Sequence, residues 1–353
     1  MEKQLEKLFS NSRDAVLGIT NNRIKYANAA AAELFRRDLA GEAASRVVGD
    51  ELLSMQEDSF VAAVAPGNRR CTVTGTRLGE TLVLRYTPEP EGAPGFASEG
   101  LVCSMLAELT TLKLAADHIA GKLEPCGEKE KQYFAFLYHS YYKLCRLAGN
   151  LSVAEDLARG NMHFLPHSTE LVSLCDDLVS SVALLLGRKD SIRFESGSEK
   201  IIAEADAALL ERLLLNLLAN ALAAVGDGGE IFVRLETKGR RVVLSVDDTG
   251  VGIPPEVLKN VFSRYETGLA GRMDTTAGAG LGLGIARGIA QLHGGSLIIE
   301  SREGKGCCVR VSLPAGQMSL ASPQPPRQGG LDAILTELSG LLDSRYYTAE
   351  YLD

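Results

Sequence analysis

The chain has 353 residues, 45% apolar and 23% charged, with 37 basic against 45 acidic side chains and a net charge of −8. That balance belongs to a globular protein long enough for two or three domains, and it excludes wholesale disorder. No basic tract points to nucleic acid, no apolar run approaches the ~20 residues of a membrane span, and seven scattered cysteines suit reduced thiols in a cytosol better than a disulfide frame.

The first ~100 residues read as a small α+β module. Asp14 to Thr20 is a short apolar strand, Asn21-Asn22 a turn, Arg23 to Tyr26 a second strand, and Asn28 to Phe35 a helix. Arg70 to Arg77 and Glu80 to Tyr86 alternate like antiparallel partners across Leu78-Gly79. Thr87 to Glu99 is a loop rich in Pro, Gly and Glu, and Leu101 to Ser104 is expected to be a last strand. The period then changes. Met105, Leu109, Leu112, Ala116, Ile119 and Leu123 form a heptad seam, broken by Glu124-Pro125-Cys126-Gly127. A second seam follows at Phe134, Leu137, Tyr141, Leu144, Ala148 and Leu151. Two seamed helices across a short break make an antiparallel hairpin. Each has more seam than one partner covers, so either a second copy completes a four-helix bundle or the hairpin packs on its own neighbours.

The region from Phe164 opens on an apolar helix reaching Gly187. Strands at Ser191 to Glu195 and Ile201 to Ala203, a helix from Asp206 to Val225, and strands at 230–236, 241–247, 296–301 and 307–313 make an α/β sandwich. Gly316 to Gly330, with three prolines, is a linker, and Leu331 to Leu342 is a short apolar-striped helix with no obvious seat.

Three features here carry chemistry. Asn216 and Asn220 lie four apart and so share one face of an otherwise leucine-rich helix, where asparagine is a poor helix former. Asp248-Thr249-Gly250-Val251-Gly252-Ile253 ends an apolar strand, placing a carboxylate for an exocyclic amine beside glycines that let the backbone approach a flat base. Gly278-Ala279-Gly280-Leu281-Gly282-Leu283-Gly284 runs into a helix, whose free N–H groups suit phosphate. No Lys-Ser/Thr follows, so this is not a Walker loop. Eleven of the 36 glycines fall between Gly268 and Gly306, which marks tight turns or close approach there.

The ordered set NLLANA (216–221), DTGVGI (248–253), NVFSRY (260–265), GAGLGLG (278–284) and HGGSLIIES (293–301) resembles the N, G1, F and G2 boxes of the histidine-kinase ATP-binding domain of the GHKL superfamily, over Phe164 to Pro314. The resemblance implies a Bergerat-type α/β sandwich that binds ATP and Mg²⁺. By it, Asn216, Asn220, Asp248, Gly250, Gly252, Ile253, Gly278, Gly280, Leu281, Gly282 and Leu283 contact the nucleotide, Asn220 holds Mg²⁺ through it, and Tyr265 to Ala277 forms the lid. ATP-hydrolysing relatives resemble one another in a Glu four residues before the metal-binding Asn; here that residue is Asn216, which looks like a kinase and disfavours hydrolysis. Leu5 to Phe35 resembles the opening of a PAS domain, with Asn28 in the usual place after the second strand.

A histidine kinase also needs a phosphoacceptor histidine on its first bundle helix. AELTTLKL at 107–114 occupies the place of the family's H-box, with Ala107 where the histidine would be. His118 and His139 are the remaining candidates; neither is followed by an acid, and a surface histidine beside a seam explains both as well as catalysis does. The expected organisation is α+β and multi-domain: a PAS-like module (1–104), a dimerising helical hairpin (105–163), the ATP domain (164–315), and a linker with a short helix (316–353). Two functions remain open: a cytoplasmic, homodimeric sensor histidine kinase serving a response regulator, without membrane span or nucleic-acid partner, and an ATP-binding pseudokinase signalling by conformation.

Overall fold

The structure is a computed structural model, and it describes Phe9 and residues 14–55, 59–64, 66, 71–88, 99–122, 127–188, 191–226, 228–258, 261, 281–315 and 330–348. The first unit contains β1 (Ala15–Thr20), β2 (Arg23–Ala27), α1 (Ala29–Phe35), the single turn α2 (Asp50–Leu53), β3 (Ser59–Val64), β4 (Cys71–Leu78) and β5 (Thr81–Pro88). Asn28 ties its start together. Its side-chain oxygen caps α1 by accepting from the Ala31 amide and also accepts from the Val16 amide at 2.9 Å, while its Nδ2 donates to the Asp14 carbonyl. Residues 21 and 22 both take positive φ, as a tight hairpin turn requires of Asn-Asn.

Strand β3 has no counterpart among the strands expected from the sequence. Phe60, Val61 and Ala62 are all buried, so the segment has no polar alternation to betray it. The expected strand at Leu101 to Ser104 is instead the first turn of helix α3 (Glu99–Lys122). The reason lies in the sheet: β5 is already flanked by β1 and β4, leaving no edge beside it for a further strand.

Helices α3 and α4 (Glu128–Arg159) form the hairpin, and Tyr138 Oη donates to Asp117 Oδ1 at 2.6 Å across it. The two seams split. Leu109, Ala116 and Ala148 are buried, whereas Met105, Leu112, Ile119, Leu137 and Leu144 stay exposed. Leu123 lies outside the described residues.

The third unit begins with β6 (His167–Glu170), ahead of the apolar helix, which is α5 (Leu171–Leu185). Glu170 caps α5 by accepting from the Val172 and Ser173 amides. Then come β7 (Ile192–Ser196), β8 (Ile202–Ala205), α6 (Ala207–Val225), β9 (Ile231–Lys238), β10 (Arg241–Asp248), the short α7 (Pro255–Leu258), α8 (Gly282–Leu292), β11 (Ser296–Arg302) and β12 (Gly306–Pro314). β6 and β8 pair by themselves. In β10, Val242, Leu244 and Val246 face the helices while their neighbours in sequence face away, the period-2 pattern of a half-covered sheet. Among the described residues α6 alone is long and apolar enough to cross a membrane, and it is the core helix of this sandwich.

The two sheets join. Their order is β2-β1-β5-β4-β3-β11-β12-β10-β9-β7, with Phe60 to Ala63 of β3 running antiparallel to Leu297 to Glu300 of β11. Glu51 pins the joint, accepting from Ser296 and Ser312 hydroxyls at 2.7 Å and pairing with Arg241 at 2.6 Å. A cleft of about 680 Å³ lies along this outer face, lined in part by Met55, Glu300, Cys308 and Arg310. Finally, α9 (Gly330–Glu337) and a 3-10 turn at Ser344–Tyr347 close the chain. The helix is shorter than expected; residues beyond Glu337 run through turns instead.

Candidate functional site

Asn216 and Asn220 project from α6 toward the start of α8. Asn216 is 1% exposed, and its Nδ2 donates to the Arg212 carbonyl one turn back at 2.9 Å. Its Oδ1 has no hydrogen-bond partner among the described residues, and neither has the buried Nδ2 of Asn220. Orphaned buried amide atoms are costly, and two of them on residues one turn apart in the same helix suit a polar ligand. A Cβ added at Gly282, the first residue of α8, would lie 2.7 Å from Asn216 Oδ1, so any side chain there would displace the Asn216 amide. Leu281, at the N-cap, supplies no side-chain hydrogen bond to the first N–H groups of α8, the groups of a helix start that suit an anion.

The Asp248 turn lies beyond the other end of α6. Its Oδ1 accepts from the Gly250 amide at 2.9 Å. Burial raises the carboxyl above its ordinary range, and hydrogen bonds from the Gly250 and Cys307 amides only partly offset this. The turn is held from two sides. The Val251 amide donates to the Ala224 carbonyl of α6, and the Ile253 amide donates to Ser301 Oγ at 2.8 Å. Ser301 in turn donates to the Gly306 carbonyl at 2.9 Å, so one hydroxyl links the turn to the β11–β12 hairpin. Gly252 sits at φ +68 against that hairpin, where a side chain would be both strained and obstructed. Sequence reasoning missed Ser301, because nothing local separates a strand-end serine that props a loop from one facing solvent.

His293 acts as a brace rather than a ligand. Its Nδ1–H donates to the Ile289 carbonyl at 2.8 Å, and its Nε2 accepts from the Asp206 amide at 3.0 Å. The neutral Nδ1–H tautomer fits this pair, and burial holds its pKa below the ordinary histidine value.

The structure thus brings together Asn216, Asn220, Leu281, Gly282 and Leu283, with Asp248, Gly250, Gly252 and Ile253 at the far end of α6. Gly278, Gly280 and the expected lid at Tyr265 to Ala277 lie outside the described residues. His118 and His139 lie on the hairpin, away from this constellation. His118 is exposed on α3. His139 is engaged by the chain's own C-terminal segment: its Nε2 lies 2.9 Å from the Ser339 carbonyl, and its ring stacks on Tyr347. Among the described residues no group of three or more His, Cys, Asp and Glu side chains is placed to hold a metal ion. Among the described residues no disulfide joins Cys71, Cys145, Cys175, Cys307 or Cys308.

Residues 205–317 match the family of histidine kinase-, DNA gyrase B- and HSP90-like ATPases, and residues 3–65 match the PAS domain family. The adaptive-response sensory kinase SasA of Parasynechococcus marenigrum is 30% identical over 276 residues, 74% of this chain and 70% of SasA. This chain belongs to the sensor histidine kinase family. The histidine protein kinase DivJ of Caulobacter vibrioides is 42% identical over 125 residues, 35% of this chain; the chain spans only 21% of DivJ's length. The catalytic domain of histidine kinase ThkA is 31% identical, with 44% of this chain and 99% of that one covered and a TM-score of 0.34. By the two family matches, the α/β sandwich of this kinase-family chain is an ATP-binding domain and its first unit is a PAS module.

Proposed function

We propose that the chain binds Mg²⁺-ATP between α6, the Asp248 turn and the start of α8, as a cytosolic, PAS-linked sensor histidine kinase. In this reading the γ-phosphate of ATP moves to a histidine of the hairpin and onward to a response-regulator aspartate. The observation that carries it is the pair of amide atoms on α6 without a hydrogen-bond partner among the described residues, that of Asn216 lying against the first residue of α8. Asp248 takes the adenine amine, with Gly252 beside the base, and the first turn of α8 together with Gly278 and Gly280 takes the phosphates. Asn220 would hold Mg²⁺, for which an amide oxygen is a suitable hard donor. When bound, Mg²⁺ neutralises charge on the triphosphate. Asn216 cannot deprotonate water, which directs the phosphate away from hydrolysis.

Homodimerisation goes with this reading. Leu112 is 59% exposed and Leu144 44% exposed, two of several seam residues left over by the hairpin. A second copy would bury them in a four-helix bundle. The domain limits proposed for the whole are 1–104, 105–163, 164–315 and 316–353.

A second reading, ATP-dependent signalling without autophosphorylation, is favoured by the state of the two histidines. His139 already spends Nε2 on Ser339. His118 has no acid after it, and Asp117 before it is engaged by Tyr138 and Lys113. Attack on phosphorus needs a neutral imidazole nitrogen and a neighbour to take up the developing positive charge. Incubation with γ-labelled ATP separates the two. An acid-labile label that vanishes in either His118→Gln or His139→Gln establishes the kinase and its acceptor. No label, with nucleotide binding intact, establishes the second reading.

A further inference from the structure

The C-terminal segment has no part in the nucleotide site, yet it is among the best-buried pieces of the molecule. Leu338 and Tyr347 are 0% exposed, and Ile334, Leu335 and Leu342 are buried in the same core as Tyr138 and Tyr142 of α4 and Leu209 and Leu213 of α6. On the α4 side, Tyr142 Oη donates to Asp332 Oδ1 at 2.5 Å, and His139 meets Ser339 and Tyr347 as described. Glu337 stands between the two helices. Its carboxylate lies 3.7 Å from Arg146 Nε of α4 and 3.5 Å from Arg212 Nε of α6. Arg212 also donates to Asn150 of α4 at 2.9 Å, and its carbonyl is the one that accepts from Asn216.

α4 belongs to the hairpin and α6 to the ATP domain, and the chain passes from α4 to the first strand of that domain, β6, through the irregular stretch 160–166. We propose that residues 330–348 are an intramolecular clamp, seated across α4 and α6, which fixes the ATP domain in one orientation on the hairpin. Its hold is built to open. Both ion pairs are longer than hydrogen bonds, and Arg146 Nε, Arg212 Nε and one Glu337 oxygen have no hydrogen-bond partner among the described residues. An incompletely satisfied triad around a buried carboxylate stabilises little for its desolvation cost, while removing that charge leaves two partly buried arginines facing each other. Two uses of the same clamp follow from the function proposed above: it keeps His139 covered, and it restrains an ATP domain that must travel to reach any histidine on α3.

The test uses the full chain without nucleotide, so its outcome is independent of ATP binding. Leu338→Asp places a charge in the clamp's core, and Glu337→Gln removes the bridging charge while keeping the shape. Hydrogen exchange is followed in peptides covering 138–146 of α4 and 208–216 of α6, and scattering gives the radius of gyration. Expected for Leu338→Asp is an increase of about tenfold or more in exchange of both peptides together, with a larger radius; for Glu337→Gln, a smaller rise in the same two places. Should Leu338→Asp fail to fold, Glu337→Gln decides alone. Exchange that rises in one helix only, or in neither, or an unchanged radius, overturns the clamp. Calorimetric titration of wild type with Mg²⁺-ATP reports on the nucleotide reading separately.

Discussion

Asp248→Asn isolates the nucleotide role of the carboxylate from its structural one. The amide keeps an oxygen that can accept from the Gly250 amide, so the turn is preserved. What it loses is the charge. Burial raises the pKa of Asp248, so the folded, ligand-free protein holds the charged carboxylate less readily than the unfolded chain does. A group of this kind stabilises the fold below its unfolded pKa and loses that contribution as pH rises through the folded value, so at neutral pH the buried charge is a burden. Removing it should leave the thermal midpoint of the free protein unchanged or slightly higher. Binding should suffer instead. A hydrogen bond to a charged group contributes about 1.5–3 kcal/mol, a loss of roughly 10–150-fold in affinity. At a nucleotide concentration of about 100 times the wild-type Kd, ligand stabilisation is about 2.7 kcal/mol, and the variant should retain only about 0.3–1.4 kcal/mol of it. Thermal melts with and without Mg²⁺-ATP, backed by calorimetry, measure both quantities. A full nucleotide-induced shift in the variant, or a free protein several degrees less stable, would refute the assignment.

Ser301→Ala should weaken nucleotide binding several-fold by freeing the Ile253 amide, and Ser301→Thr should restore it; equal affinity in all three by calorimetry counts against the propping role. His293 is buried and held neutral, so the unfolded chain binds a proton that the folded one resists; stability should fall with acid below about pH 6.5, by up to ~1.4 kcal/mol per pH unit, and His293→Gln should flatten that limb of the melting profile. Glu51→Ala removes two hydroxyl partners and a partly exposed ion pair, together about 1–2 kcal/mol, and should speed hydrogen exchange of β3 and β11 without altering α4; no change there would mean that the joint does not depend on Glu51. Leu144→Asp should convert a dimer to a monomer in light scattering; a wild type already monomeric at micromolar concentration ends the bundle proposal.

Most of the proposed nucleotide site is legible in the sequence. The four-residue spacing of Asn216 and Asn220 follows from helix geometry, the Asp248 turn announces itself through its glycines, and the heptads of α3 and α4 set out a hairpin. These signals are local: each is carried by residues within two or three turns of one another. The misses share the opposite character. Leu101 to Ser104 has strand-like residues, but a strand needs an open edge, and both edges of β5 are taken. β3 is recognisable only once β4 and β11 flank it. Ser301 matters because a hairpin 48 residues away in sequence from Ile253 folds back under the turn. His139, exposed by any reading of its own helix, is covered by a segment 200 residues further on. The sequence determined by itself what each element is and which face of it is apolar, because backbone propensity and side-chain period act over short range. Tertiary structure alone decided which sheet edges meet, which hydroxyl props the turn and where the C-terminal segment lodges. Those outcomes depend on which surfaces remain uncovered after every other element has packed.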